Sequence, residues 1–313
     1  MRKGSGLGRI SVGQSGFESI SFVFLRKAFL KLFFNYMIFK IMRKSVGLCV
    51  LFLLAIHVFG QETVRVSHPW ADRKVAYFGD SITDPNNNGS KCKYWGFLQE
   101  WLGITPFVYG VSGRTWADIP NQADKLEADH GSDFDAIVVF VGTNDYNHGV
   151  PIGEWYRVAA DSVLAANKKV KRAKYLRSKR TLAMDKGTYR GRINIAMMKM
   201  KTMFPDKQIV LLTPIHRSYF EAGLNNVQPS EEYQNSCGEF FDRYVESVKE
   251  AGEVWGVPVI NMYSLSGLAP TIDVNAALYF HDTKTDRLHP NDAGHARMAR
   301  TLACQLVALP CVF

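Results

Sequence analysis

The sequence predicts an α/β fold in which a parallel sheet carries helices on both faces. Short apolar runs alternate with longer helical patterns along most of the chain, which is typical of parallel strands joined by helices. The run from Ala136 to Val141 is continuously apolar and rich in β-branched residues, as expected of a strand that is buried on both faces. We therefore predict that this run forms the central strand.

The other elements follow from the same patterns. Strands are predicted at Lys74–Phe78, Pro106–Tyr109, Ala136–Val141, Gln208–Leu212 and Val257–Ile260. Helices are predicted at Tyr94–Leu102, Trp116–Asp129, Arg190–Phe204, Ser230–Trp255 and Pro290–Val307. Ser230 can cap the fourth helix, Pro205 ends the third, and Pro290 suits the first turn of the fifth.

Residues 42–60 have the three-part layout of a secretory signal peptide. Two basic residues, Arg43 and Lys44, precede an uncharged apolar run over 46–59, and the small residue Gly60 follows it. We predict cleavage near Gly60 and export to the periplasm, the cell surface or the medium. The run is too short for a stable membrane span to be predicted.

Residues 1–41 precede a segment that would normally begin an exported protein, so we interpret them as a non-native or unstructured N-terminal extension. An amphipathic membrane-surface arm over residues 22–40 is the alternative, because this stretch is rich in Phe, Lys and Arg. Residues 61–313 are enough for one α/β domain and few for two. We predict that they form a single domain.

The positive charge of the chain is concentrated at its start. Residues 1–44 hold nine of the 38 Lys and Arg residues and one of the 29 acidic residues, so residues 61–313 retain 29 basic and 28 acidic side chains. A near-neutral domain gives no electrostatic reason to predict binding to nucleic acid.

Four cysteines lie in the predicted domain: Cys92, Cys237, Cys304 and Cys311. An exported protein can keep disulfides, and the sequence does not rank the three pairings of four cysteines. Neither the cysteines nor the histidines have the spacing of metal ligands, so no metal site is predicted.

A long stretch without a strand pattern separates the third strand from the next helix. It extends from about His148 to Gly187 and contains a basic run over residues 168–174. We interpret it as an insertion with a solvated helical face, since runs of charge usually lie in water. A site for an anion or an acidic glycan is the alternative.

The leading candidate for a catalytic residue is Ser81, in the sequence YFGDSITD. Here an apolar strand ends in a small polar turn, and ligands of open α/β sheets bind outside the carboxyl ends of the strands. Gly79 is expected to allow a tight turn, and the backbone amides after it can stabilise an oxyanion. A turn serine that only satisfies backbone donors is the alternative.

Two further blocks follow predicted strands. Gly113, in YGVSGRT, lets the backbone approach a substrate and donate its N–H, and the alternative is an ordinary turn glycine with positive φ. Asn144, in VGTND, offers a neutral side-chain donor to an oxyanion, and the alternative is a routine turn former.

The fourth block, TDRLHPNDAGH, contains a candidate general base. A serine hydroxyl is a poor nucleophile at neutral pH, and the imidazole of His289 could accept its proton. Asp286 lies three residues earlier and could hold that imidazole in one tautomer. His295 falls inside the predicted last helix, where we expect a packed structural histidine.

The blocks GDSI, SG, GTND and DRLH, in this order, resemble the SGNH/GDSL hydrolase family. The resemblance extends over residues 75–306, which is most of the predicted domain. It implies a flavodoxin-like three-layer α/β/α sandwich with a central five-stranded parallel sheet. It also implies ester hydrolysis through an acyl-enzyme, without a metal or a cofactor.

The resemblance assigns roles by motif position. Ser81 becomes the nucleophile, His289 the base and Asp286 the partner of the base. The oxyanion donors become the N–H of Ser81, the N–H of Gly113 and the side chain of Asn144.

The substrate is less defined, because members of the family act on lipids, thioesters and acetylated sugars. Six aromatic residues near the blocks could stack on sugar rings or pack in the core: Tyr94, Trp95, Trp116, Tyr146, Trp155 and Tyr156. With the predicted export, we expect a carbohydrate O-acetyl esterase. A lipase or lysophospholipase is the first alternative, and a non-catalytic glycan- or lipid-binding protein is the second. The sequence does not indicate an oligomeric state.

Overall fold

The computed structural model describes residues 68–313, so the predicted N-terminal extension and signal peptide lie outside the described residues. The strands in chain order are β1 (Lys74–Gly79), β2 (Thr105–Val108), β3 (Ala136–Phe140), β4 (Tyr156–Asn167), β5 (Val170–Leu182), β6 (Gln208–Leu212), β7 (Phe220–Glu221), β8 (Val227–Gln228), β9 (Val259–Ile260), β10 (Phe280–Asp282) and β11 (Asp286–Pro290). The helices are α1 (Tyr94–Leu102), α2 (Ile119–His130), α3 (Thr143–Asn147), α4 (Tyr189–Met203), α5 (Phe241–Trp255), α6 (Met262–Leu265), α7 (Asp273–Tyr279) and α8 (Asp292–Ala308), and a 3₁₀ turn at Trp116–Asp118 precedes α2.

Five strands form a parallel sheet in the order β2-β1-β3-β6-β9. Each strand pairs in parallel with its neighbours, and β3 lies in the middle. The prediction of the central strand is therefore confirmed. Counted along the chain, the order is 2-1-3-4-5, which is the flavodoxin-like arrangement.

Helices cover both faces of this sheet because the side chains of each buried strand alternate between the two faces. Ile137 and Val139 of β3 belong to a core formed with α2, α4 and α5. Val138 and Phe140 belong to a second core formed with α1 and α8. The predicted three-layer α/β/α sandwich is thus confirmed.

A second, antiparallel sheet has the order β10-β11-β7-β8. Its strand β11 consists of Asp286–Pro290 and pairs with β10 on one side and β7 on the other. The block that contains His289 is therefore part of a sheet of its own, outside the five-stranded one.

The predicted helical face in the insertion is wrong. Strands β4 and β5 pair in antiparallel register and form a two-stranded hairpin. Most of their side chains are exposed on both faces, so the contrast between apolar and polar positions that normally identifies a strand is weak.

The hairpin is anchored at one point. The N–H of Ala183 donates to the carbonyl of Trp155, which joins the two ends of the hairpin. The buried Asn194 of α4 donates from Nδ2 to the carbonyls of both residues, at 3.0 Å each. Its Oδ1 accepts from the indole of Trp255, so the amide of Asn194 is fully used.

Two helix starts differ from prediction. The predicted start at Ser230 is wrong, because Gly238 adopts φ +84° in a turn and α5 begins only at Phe241. Pro290 ends β11 instead of opening the last helix. The capping residue of α8 is Asn291, whose side chain accepts from the N–H of Gly294.

Within residues 68–313, none of the helices combines the length and the apolarity needed to cross a membrane. The thiols of Cys92, Cys237, Cys304 and Cys311 are free. In the same range, no group of His, Cys, Asp and Glu side chains is arranged to hold a metal ion.

Gly79, at the end of β1, is required for space. A Cβ at this position would lie 2.3 Å from Thr83 Oγ1 and 2.7 Å from the carbonyl oxygen of Phe140. The side-chain amide of Gln122 binds both the N–H and the carbonyl of Gly79, at 2.9 Å each. The backbone therefore has little room to move aside.

We predict that Gly79→Ala lowers the free energy of unfolding by about 1–3 kcal/mol, because the added methyl group overpacks a fixed backbone. Urea denaturation would measure the change. The control is Gly187→Ala in an exposed loop, which we expect to change stability by less than about 1 kcal/mol. Equal effects of the two substitutions would contradict the packing argument.

Candidate active site

Ser81 and Asn144 lie just after neighbouring strands of the parallel sheet. Ser81 follows β1 by two residues, and Asn144 is the second residue of α3, which follows β3. The chain continues to β2 on one side of β1 and reaches β3 on the other, so the strand order reverses here. Ligands of open α/β sheets bind outside the carboxyl ends of the strands at such a switch point.

Ser81, His289 and Asp286 form a connected chain of hydrogen bonds. The distance from Ser81 Oγ to His289 Nε2 is 2.8 Å. On the other side of the ring, Nδ1 of His289 lies 3.0 Å from each carboxylate oxygen of Asp286. All three residues are buried. The structure thus brings together the predicted nucleophile, base and base partner.

The backbone of β11 explains how residues three apart can meet. Asp286 Oδ1 accepts from the N–H of Leu288 at 3.2 Å and from the N–H of His289 at 2.9 Å. The carboxylate is therefore fixed by its own strand before it contacts the imidazole. Phe220 of β7 packs its ring against that of His289 at 5.1 Å between centroids, which limits rotation of the imidazole.

The predicted oxyanion donors are available for a ligand. In the described part of the chain, the N–H groups of Ser81 and Gly113 donate to no protein acceptor. Asn144 donates one Nδ2 hydrogen to the carbonyl of Arg114 at 2.9 Å, and the second hydrogen is not used in this contact. Gly113 is exposed and has φ +81°, and a Cβ there would meet nothing within 4 Å. Its turn conformation thus leaves its N–H accessible.

A carboxylate that the sequence did not identify connects the Ser81 turn to the Gly113 loop. Asp84 Oδ2 accepts from both the N–H and the hydroxyl of Ser112, at 2.8 and 2.7 Å. These hydrogen bonds, together with one from the N–H of Asn86, hold the pKa of Asp84 below its ordinary value although burial opposes the shift. Asp84 therefore stays ionised while it positions the residue before Gly113.

A second carboxylate connects the Gly113 and Asn144 loops. Asp145 Oδ2 accepts from the N–H of Trp116 at 3.0 Å, and Oδ1 accepts from Arg192 of α4 at 2.8 Å. Burial raises the pKa of Asp145 to about 6 in spite of these donors. With the bond from Asn144 to Arg114, two adjacent residues of α3 hold the loop after Gly113.

Comparison with known families agrees with this arrangement. The sequence profile of the GDSL-like lipase/acylhydrolase family matches residues 77–297. The chain belongs to this family. It is therefore an ester hydrolase by family, and its substrates are esters.

Solved structures share the fold of this GDSL-like hydrolase. A protein from Lactobacillus plantarum is 24% identical, with a TM-score of 0.56 over 75% of this chain and 97% of its own. A structure described as a possible lipase from Chitinophaga pinensis is 21% identical, with a TM-score of 0.55 over 75% and 98% of the two chains. An acetylxylan esterase from Geobacillus stearothermophilus is 19% identical, with a TM-score of 0.46 over 77% and 96%. Among curated proteins, none matches the sequence significantly.

A buried arginine that the sequence did not single out lies beneath the oxyanion loop of this hydrolase. Arg217 donates from Nη1 to the carbonyl and the hydroxyl of Thr143, at 3.2 and 3.1 Å, and from Nη2 to Gln228 at 2.8 Å. Thr143 directly precedes Asn144. Arg217 and Asp80, the residue before Ser81, line the same small cavity. The guanidinium therefore lies between the oxyanion loop and the nucleophile turn.

The other histidine and most of the aromatic candidates are structural. His295 is buried, and its Nδ1 accepts from the N–H of Tyr94, as expected for a packed histidine. Burial lowers the pKa of His295 well below its ordinary value. Four of the six aromatic candidates are buried in the cores: Tyr94, Trp116, Tyr146 and Trp155. Trp95 is half-buried, and its indole donates to the carbonyl of Thr83 at 2.9 Å, which holds it beside the Ser81 turn.

We predict that Asp80 makes stability depend on pH. Burial, opposed by the N–H of Ile82 and reinforced by Asp145, raises the pKa of Asp80 from 3.8 to about 7. Between these values the folded protein binds a proton that the unfolded chain has released, so stability falls as the pH rises. Asp80→Asn cannot titrate and should remove this part of the loss.

Urea denaturation of both proteins at about pH 4.5, 6 and 8 would test the prediction. The wild type should lose stability relative to Asp80→Asn across this range. Asp145 titrates in both proteins, so it largely cancels from the difference. A difference that does not vary with pH would show that Asp80 keeps an ordinary pKa.

Proposed function

We propose that this GDSL-like hydrolase cleaves carboxylic esters through an acyl-enzyme on Ser81, with His289 as general base and Asp286 as its orienting partner. The observation that carries the proposal is the 2.8 Å contact between Ser81 Oγ and His289 Nε2, with Asp286 3.0 Å from the far side of the ring. This is the geometry of an activated serine nucleophile.

In the first half of the reaction, His289 takes the hydroxyl proton of Ser81 as Oγ attacks the ester carbonyl carbon. The N–H groups of Ser81 and Gly113 and the free Nδ2 hydrogen of Asn144 donate to the oxyanion that forms. His289, now protonated, is stabilised by the Asp286 carboxylate and gives its proton to the departing alcohol. The acyl group stays on Ser81.

In the second half, water takes the place of the alcohol. His289 accepts a proton from the water as its oxygen attacks the acyl carbon, and the same three donors hold the second oxyanion. The proton returns to Ser81 Oγ as the acid leaves, which restores the starting state. Each oxyanion donor is expected to contribute a factor of ~10²–10³ to turnover.

We predict that Ser81→Ala lowers turnover of a short-chain aryl ester by at least ~10³-fold, since the nucleophile is lost. A fluorophosphonate probe should label the wild type at Ser81 and leave the variant unlabelled. Ser162→Ala, which removes an exposed serine of β4, is the control and should keep both activity and labelling.

Failure of labelling in the folded wild type would contradict the nucleophile assignment and favour a non-catalytic binding protein on the same fold. Full activity of Ser81→Ala would contradict the mechanism itself.

For the substrate, we propose an O-acetylated carbohydrate outside the cytoplasm. The apolar run at 46–59 and the basic residues before it support export, which favours an extracytoplasmic ester over a coenzyme A thioester. Trp95 supports a sugar, because its partly exposed ring is held by Thr83 next to the nucleophile turn and could stack on a pyranose.

An ester panel with matched tryptophan variants would test this proposal. We predict that Trp95→Ala raises KM for acetylated xylo-oligosaccharides by about 10-fold, as expected from the loss of a stacking surface. Turnover of p-nitrophenyl acetate should change little, because that substrate has no sugar ring. Trp101→Ala, at an exposed tryptophan of the same helix, is the control.

Equal losses on both substrates would contradict a stacking role. Higher kcat/KM on long-chain acyl esters than on acetyl esters would instead favour a lipase.

A further inference from the structure

The hairpin of β4 and β5, residues 156–182, is here called the basic arm. Its two strands pair with each other over their whole length and with no other strand of the described residues. An isolated two-stranded hairpin is marginally stable in water, because it lacks a surface on which to bury one of its faces. The basic arm therefore needs a partner surface.

One face of the basic arm is apolar yet exposed. In the register of the hairpin, this face carries Tyr156 beside Leu182, Val158 beside Arg180, Ala160 beside Ser178, Ser162 beside Leu176 and Leu164 beside Lys174. Each pair thus includes at least one apolar residue, except for small side chains in the middle. Val158, Leu164 and Leu176 are 64%, 54% and 77% exposed. Such a row of exposed apolar side chains marks an interaction surface.

The charge of the basic arm is opposite to that of the rest of the described chain. The arm contains nine Lys and Arg residues and one acidic residue, Asp161. The other residues of 68–313 contain 19 basic and 26 acidic residues. The arm therefore carries a net charge of +8, and the remainder, called the acidic body, carries −7. Part of this negative charge is on α5, where Asp242, Glu246 and Glu253 are exposed.

We propose that the basic arm docks on the acidic body of a second copy of this chain, and that two copies exchange arms in a symmetric dimer. The opposite charges of arm and body attract each other in this arrangement. Pairing of two arms would instead place two charges of +8 side by side. An anionic membrane would attract the arm but repel the acidic body.

The size of the arm suits a stable dimer. A strand of 12 residues is about 40 Å long, and two paired strands are about 10 Å wide, so one face covers about 400 Å². An arm and the surface it covers would bury about 800 Å² together. Two exchanged arms would bury about 1,600 Å², which is the standard size of a specific interface. A single arm would give half of this area.

Sedimentation velocity of the purified protein over a range of concentrations would test the proposal. We expect a dimer at about 0.05 M NaCl whose dissociation constant rises at about 1 M NaCl, because salt screens the attraction. The triple substitution Val158→Ser, Leu164→Ser and Leu176→Ser should raise the dissociation constant by more than ~10-fold. The charge reversal Lys171→Glu, Arg172→Glu and Lys174→Glu should do the same.

The matched control changes three residues on the opposite face of the same arm: Ala159→Ser, Val163→Ser and Ala165→Ser. It should leave the dimer intact. Thermal melting of each variant shows whether the body is folded, and the salt dependence of the wild type tests the proposal without any substitution.

Several outcomes would overturn the proposal. These are a wild type that is monomeric at all concentrations, or a dimer that both apolar-face and charge variants leave unchanged. A dimer that tightens at high salt would indicate apolar pairing of two arms instead. A monomer that sediments with vesicles of phosphatidylglycerol, and not with phosphatidylcholine alone, would assign the arm to an anionic membrane.

Discussion

The hydrogen bond between Ser81 Oγ and His289 Nε2 joins two residues that are 208 positions apart in the chain. One end belongs to the loop after β1 in the parallel sheet, and the other belongs to β11 in the antiparallel sheet. A distance of 2.8 Å therefore requires that both sheets hold their loops in place independently. Gln122 does this for β1 by binding both backbone groups of Gly79. Asp286 does it for β11 by accepting from the backbone and from the imidazole together.

Buried carboxylates perform the same task for the oxyanion loops. A buried charge is costly unless hydrogen bonds satisfy it, so each carboxylate imposes a fixed position on its donors. Asp84 binds Ser112, and Asp145 binds Trp116 on the other side of Gly113. Arg217 supports Thr143 from below. The candidate site thus depends on a connected set of buried polar contacts that surrounds the reacting groups.

Much of the fold could be predicted from the sequence, because its parallel strands are buried on both faces and form unmistakable apolar runs. The limits Gln208–Leu212 match prediction, and those of the other sheet strands differ by one or two residues. The candidate residues could be found because each is contained in a short block of sequence. Asp84 and Arg217 could not be assigned, since their contacts with Ser112 and Thr143 span 28 and 74 residues. The basic arm was missed because both of its faces lie in water, which removes the usual alternation of strands.

The contacts of Asn194 have a consequence for how this chain can change over time. One buried amide holds Trp155 and Ala183 together, so the 27 residues between them enter and leave the body at neighbouring points. A closure of this kind separates the length of the inserted segment from the geometry of the sheet. Related chains can therefore gain, lose or recharge such a projection, and alter how copies meet, while the strands that carry the serine and the histidine keep their spacing.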